Sequence, residues 1–250
     1  MRFILDGKRR TATEGETVLA AARAAGIDIP ALCAHEALEP YGACRLCIVE
    51  AKEKGKKRWR VVTSCLYPVK EGLEVKSDTA KIRSLRRFLL ELLLARSPNV
   101  PSVRLLAARY GVKKARFASL DDDCILCGLC VRVCSEVVGA SAIAFSGRGT
   151  GRRIDTPFGI DHSRCIACGA CTAVCPTGAV QMEYERVMEL RAAGAEHPCR
   201  YTLMGLLDDA VCSLNYECAR CEIDQRFRAE SGTHPMLARG ARKGRGKARR

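Results

Sequence analysis

Eight of the sixteen cysteines fall as two copies of Cys-x2-Cys-x2-Cys-x3-Cys, CILCGLCVRVC from Cys124 to Cys134 and CIACGACTAVCP from Cys165 to Pro176, offset by 41 residues. Three thiolates on one tight loop can hold three corners of an iron-sulfide cubane. The fourth, on the helix that follows, points away toward a second one. The copies therefore predict two [4Fe-4S] clusters with exchanged ligands. Cys124, Cys127, Cys130 and Cys175 would hold one, and Cys165, Cys168, Cys171 and Cys134 the other. Gly128 and Gly169 suit loops whose backbone must approach sulfide closely, and Pro176 turns the chain after the last ligand, a place Ser135 takes in the first copy. Zinc knuckles or a disulfide framework would not require two copies in phase.

A second quartet precedes them. Cys33, Cys44, Cys47 and Cys65 are spaced x10, x2 and x17, two on a short loop and two more distant, as suits a flat two-iron rhomb in which each iron takes two thiolates. A structural zinc is the alternative on spacing alone. His35 lies two residues after Cys33, but four thiols already fill the four ligand places, so it reads as a loop histidine. Around this quartet RFIL, a turn at Asp6-Gly7 and KRRTAT predict a hairpin. Thr17 caps the helix VLAAARAA, which stops at Gly26, and RLCIVEA, RWRVVTS and LEVKS read as strands.

From Thr79 the period becomes helical. Ile82, Leu85, Phe88, Leu89, Leu92 and Leu93 form the expected apolar face, and Lys81, Arg83, Arg86 and Arg87 the polar one. Ser97-Pro98 ends this helix, PSVRLLAARYGV predicts a short second one, and Asp121 to Asp123 cap or solvate the approach to the first cubane loop.

The 48% hydrophobic content needs no stapling, no cleavable apolar segment stands at the N-terminus, and the longest apolar run is too short for a bilayer. A cytoplasmic, reducing setting without a transmembrane segment is expected, with cysteines used for metal rather than disulfides. The formal charge of +14 is concentrated: residues 239–250 carry seven Lys/Arg and no acid, a Gly-rich stretch read as a disordered basic tail. Nucleic-acid binding is accordingly not expected.

The order of CAHEALEPYGACRLC, RRFLLELLLARSPN, CILCGLCVRVC, GRGTGRRIDTPFG and CIACGACTAVCPTGA resembles the N-terminal part of the complex I large iron-sulfur subunit. It is closer still to the diaphorase iron-sulfur subunit of NAD-linked [NiFe] hydrogenases. The resemblance covers residues 1 to about 182. It implies an α+β chain: a β-grasp [2Fe-2S] domain (1–78), a helical linker (79–119) and a two-[4Fe-4S] bacterial ferredoxin-like domain (120–182). A four-cysteine extension (183–235) and the basic tail (236–250) would follow. That family usually carries a His-x3-Cys-x2-Cys-x5-Cys cluster between its ferredoxin domains, yet residues 66–123 here hold no histidine and no cysteine, so that cluster is expected to be absent.

After Ala179, VQMEYE reads as a closing strand and ERVMELRAA as a helix. Cys199, Cys212, Cys218 and Cys221, spaced x12, x5 and x2, accept either a further [4Fe-4S] cluster, toward which the reading leans, or zinc. His197 reads as a neighbour rather than a ligand. No Gly-x-Gly-x-x-Gly fingerprint follows a strand, and GRGTGR at 147–152 lacks the Lys-Ser/Thr of a phosphate loop. The expected function is a non-catalytic relay of single electrons between a flavoprotein NADH-oxidising subunit and the catalytic subunit of an oxidoreductase such as a hydrogenase or formate dehydrogenase. The alternative is a metal-stabilised nucleic-acid-binding or scaffold protein.

Overall fold

A computed structural model describes residues 1–156, 164–180, 182–192 and 197–247. The chain divides into two compact units, Met1–Ala34 with Pro40–Cys127, and His35–Glu39 with Gly128–Arg250.

The first unit is a five-stranded sheet crossed by a helix. Strands β1 (Arg2–Leu5) and β2 (Lys8–Thr11) pair antiparallel across the Asp6-Gly7 turn. Both turn residues have positive φ, 50° and 80°, the twist a two-residue hairpin needs. Helix α1 (Val18–Ala24) begins where the Thr17 side chain accepts from Ala20 N, and its Val18, Leu19, Ala21 and Ala22 enter the core. Strands β3 (Ile48–Lys52), β4 (Arg60–Thr63) and β5 (Glu74–Lys76) complete the order β2-β1-β5-β3-β4. Only β1 and β5 run parallel, because α1 and the cysteine loop supply the long crossover between them. Phe3, Leu5, Val49, Leu73 and Val75 fill the core, with Cys47 and Cys65 among them. This is the expected β-grasp.

Helix α2 (Ala80–Arg96) starts at the Thr79 cap. Its buried face differs from the expected one: Ile82, Arg86, Leu90, Leu94 and Ala95 are buried, whereas Leu85, Phe88 and Leu92 are 37–46% exposed. Arg86 turns inward because buried carbonyls await it. Helix α3 (Pro101–Arg109), with proline at its first position, packs on α2.

In the second unit α4 (Leu129–Arg132) runs into a π-helical turn, Val133–Val138, that ends at Gly139 in the left-handed region. Strands β6 (Ala144–Ser146) and β7 (Arg153–Asp155) form a hairpin whose tip is GRGTGR. A Cβ at Gly147 would meet the Gly151 carbonyl oxygen at 2.4 Å, so this glycine closes the tip. Helix α5 (Ala170–Val174) follows the second cubane loop. Helix α6 (Met182–Ala192) begins inside the expected VQMEYE strand, whose Gln181 lies outside the described residues, in keeping with the run of Glu, Met, Leu, Arg and Ala and an Arg186–Glu189 pair one turn apart. Helices α7 (Arg200–Leu203), α8 (Glu222–Ser231) and α9 (Pro235–Lys247) complete the unit. The last begins where a disordered tail is expected from residue 236, and residues 248–250 of that stretch lie outside the described ones. Met236 and Leu237 are buried, and Gly240 lies so near Ala37 that a Cβ would stand 3.0 Å from its carbonyl oxygen. Glycine there marks close packing rather than looseness. Among the described residues no helix is long and apolar enough to cross a membrane.

Candidate metal centres

The β-grasp loop gathers its four cysteines as two thiol pairs. Cys44 N donates to Cys33 Sγ at 3.4 Å, and Leu32 N donates to Cys44 Sγ at 3.4 Å. The Cys44 thiol and the loop amides of Cys44, Ala43 and Gly42 hold Cys33 down to about 6 against the cost of burial, and the same shared bond pushes Cys44 up. Cys47 is likewise lowered to about 6, first by the Cys65 thiol, while Cys65 is raised by that bond, by burial and by the charges of the other three sulfurs. Four thiols close enough to govern one another's protons, ringed by backbone N–H groups, suit an anionic iron-sulfide core. Gly42, with φ of 73°, leaves room for Leu66 Cδ1, which a Cβ would meet at 2.5 Å. His35 Nδ1 accepts from Ala37 N at 3.1 Å.

The two cubane loops repeat one backbone form. Leu126 and Gly128 have φ of 53° and 76°, Ala167 and Gly169 52° and 78°, so amides in each turn inward where sulfur accumulates. Leu126 N donates to Cys124 Sγ at 3.4 Å and Ala142 N to Cys134 Sγ at 3.3 Å. Asp122 anchors the first loop: its carboxylate accepts from Cys124 N at 2.8 Å and pairs with Arg96 at 2.5 Å. In the second, burial pushes Cys168 up to about 11 and Cys171 up to about 12, and the charge of Cys134 raises both further. The charge of Cys134 is thus felt at the loop of the other copy. At Cys175 burial is outweighed by hydrogen bonds from Thr177 Oγ1 and the amides of Thr177, Ala179 and Gly178, and the thiol is lowered.

The last quartet is assembled by a β-bridge and a turn. Pro198 pairs with Val211, Cys199 N donates to Ala210 O and Cys212 N to His197 O, each at 2.7 Å. The pleat sends Cys199 and Cys212 to one face. Tyr216 N donates to Cys212 Sγ at 3.2 Å, and the Tyr216 hydroxyl is raised by burial and then by the charges of Cys212, Cys199 and Cys218. Cys218 and Cys221 flank a 3-10 turn that opens α8. His197 packs on the Tyr216 ring at 5.3 Å. Among the described residues no three His, Cys, Asp or Glu side chains close on a point that a single ion would fill.

Sequence reasoning missed the arginines. Arg86 donates to Leu46 O at 3.0 Å and Ile48 O at 2.8 Å. Arg96 donates to Cys124 O at 2.5 Å, Arg186 to Cys165 O at 3.0 Å and Arg200 to Cys168 O at 2.9 Å. Each cysteine loop is gripped at its own carbonyls by a guanidinium from another element, which no local motif announces.

Fold and sites together define a ferredoxin-type iron-sulfur protein with a [2Fe-2S] and a dicluster part. Residues 1–80 match the 2Fe-2S iron-sulfur cluster binding domain family and residues 123–179 the 4Fe-4S dicluster domain family. The chain is 35% identical over 199 residues to the NADPH-Fe(3+) oxidoreductase subunit alpha of Geobacter sulfurreducens, covering 70% of this chain and 23% of that protein. It is 32% identical over 222 residues to the NADP-reducing hydrogenase subunit HndD of Solidesulfovibrio fructosivorans, covering 76% and 37%. A chain in a crystal structure of an NAD+-reducing [NiFe]-hydrogenase in the H2-reduced state matches with 34% identity and a TM-score of 0.55, over 62% of this chain and 74% of that one. The protein belongs to the family of iron-sulfur subunits found in NAD-linked hydrogenases and complex I-type oxidoreductases. It spans about a quarter to a third of the length of these curated relatives.

Proposed function

We propose that this chain relays single electrons between an NADH-oxidising flavoprotein and the catalytic subunit of an oxidoreductase complex in a reducing cytoplasm, and performs no substrate chemistry itself. Buried and half-buried cysteines at ferredoxin spacing, on loops bordered by backbone amides and guanidinium-held carbonyls, support this reading. Cys33 with Cys44 and Cys47 with Cys65 would each take one iron of a [2Fe-2S] cluster. Cys124, Cys127, Cys130 and Cys175, and Cys165, Cys168, Cys171 and Cys134, would hold the cubanes. When bound, such clusters accept and release one electron at a time. The chain's own residues exclude water, fix the thiolates and tune the potential by N–H donation to sulfur.

Thiolate-held clusters offer no carbon or nitrogen that takes a hydride, so the link to a nicotinamide must be a flavin elsewhere. The test is direct. The purified, flavin-free chain should be bleached by dithionite but not by NADH, and NADH should reduce it once the flavoprotein subunit is added. Bleaching by NADH alone at a catalytic rate would overturn the assignment.

A further inference from the structure

Where α2 and the end of α3 meet the loop after α1, the first unit holds a cavity of about 500 Å3. Four guanidinium groups wall it, Arg83, Arg86, Arg87 and Arg109, with two carboxylates, Asp28 and Asp78, and no cysteine. A cavity of this size suits a small ligand.

The cations converge on one tyrosine and one aspartate. Arg86 Nη1 donates to the Tyr110 hydroxyl at 3.1 Å and Arg87 Nε to the Tyr110 carbonyl oxygen at 2.9 Å, while the Arg109 guanidinium stands 6.0 Å from the centre of the Tyr110 ring. Arg83 grips Asp78 with two donors, at 2.8 and 2.5 Å, and Arg109 pairs with Asp28. The Asp78 carboxyl is held below its usual range first by the Arg83 hydrogen bonds and, against the cost of burial, by the charges of Arg83, Arg86 and Arg109.

Two aspartates do not answer four guanidinium groups. The Asp78 and Asp28 side chains are 46% and 68% exposed, so water weakens both as counter-charges. Among the described residues Arg86 and Arg87 meet backbone oxygens and the Tyr110 hydroxyl, and no carboxylate at ion-pair distance. Arg87 Nη2 lies 4.0 Å from where a Cβ on Gly111 would stand, so the glycine sets no side chain against that edge of the fork. A cation buried as Arg86 is stands at a cost that nearby negative charge offsets. Fastening α2 to α3 needs no such surplus, whereas an anion seated in the cavity would meet it. Guanidinium forks take phosphate and carboxylate oxygens two at a time, and walls this polar do not suit an apolar ligand.

We infer that this cavity binds a small polyanion carrying two or more phosphate or carboxylate groups, with Arg87 as its main contact and Arg86 and Arg109 as supporting charge. The site is independent of the relay reading above, and binding involves no covalent or redox step.

The experiment is titration calorimetry on the full, cluster-loaded chain, with iron counted before and after so that loss of metal to the probe is recognised. Pyrophosphate and citrate are the probes, and inorganic phosphate is the single-group comparison. One-to-one binding tighter than that of phosphate is expected, and the tighter of the two probes tells a phosphate ligand from a carboxylate one. Arg87→Gln should weaken binding roughly tenfold or more. Asp28→Asn, which frees Arg109, should tighten it, and Arg58→Gln, at an exposed position between β3 and β4, should leave it unchanged. Should Arg87→Gln fail to fold, Asp28→Asn against Arg58→Gln still decides. Absence of binding by both probes, or equal weakening in Arg87→Gln and Arg58→Gln, as general attraction to a basic chain would give, would overturn the inference. Binding of an oligoglutamate peptide with neither small anion bound would likewise overturn it in favour of a protein partner.

Discussion

Arg86 Nη2 donates to the Ile48 carbonyl oxygen at 2.8 Å, so α2 is fastened to the strand that leaves the [2Fe-2S] loop. Its Nε reaches Leu46 O and its Nη1 the Tyr110 hydroxyl, and the side chain is 2% exposed. Arg86→Met would orphan two carbonyls and remove a buried cation beside the Cys44–Cys47 loop. A loss of about 3 kcal/mol in denaturant unfolding is expected, and redox titration should find the [2Fe-2S] potential lowered. Arg86→Lys keeps the charge but loses the fork, so it should retain more of the potential than of the stability.

Thr79 joins the sheet to α2 in two directions. Its Oγ1 accepts from Ile82 N at 3.2 Å and donates to Glu50 Oε2 at 2.9 Å. Thr79→Ala should cost about 1–2 kcal/mol, with fraying of the first turn of α2 seen as faster amide exchange there and unchanged cluster signals.

Cys134 acts on Cys168 and Cys171. Cys134→Ser should therefore perturb the centre of Cys165, Cys168 and Cys171 and spare that of Cys124, Cys127 and Cys130. Resolved cubane spectra decide. Loss confined to the first centre would refute the exchange.

Met236 and Leu237 enter the second unit's core at the start of α9. Replacing both with alanine should destabilise that unit by about 4 kcal/mol or more and quicken proteolysis after Arg239. A tail without packing would give neither effect.

Much of this was legible in the chain. The Asp6-Gly7 hairpin, the Thr17 and Thr79 caps and the cysteine spacings are local signals, and local backbone chemistry decided them. Charge in the sequence suggests solvent both for Arg86 and for the stretch from residue 236, yet Arg86 is taken inward by carbonyls and α9 starts with Met236 and Leu237 buried; residues 248–250 lie outside the described ones. The Pro235-Met236-Leu237 start, with proline suited to a first helical position, was the signal for α9. VQMEYE was short enough for β-branched Val180 and aromatic Tyr184 to suggest a strand, and helix formers downstream prevailed. The grip of Arg200 and His234 on Cys168 joins residues 32 and 66 positions apart, beyond any windowed reading.

The guanidinium-held cysteine loops also alter what the chain's excess of base means. The formal +14 leaves thiols uncounted, and each loaded site adds about two negative charges when oxidised and one more when reduced. Three sites remove about six charges from that total, so much of the basic excess is counter-charge built for its own prosthetic groups. The loaded protein should focus well below the sequence isoelectric point of about 9.2, and its electrophoretic mobility should change with its oxidation state.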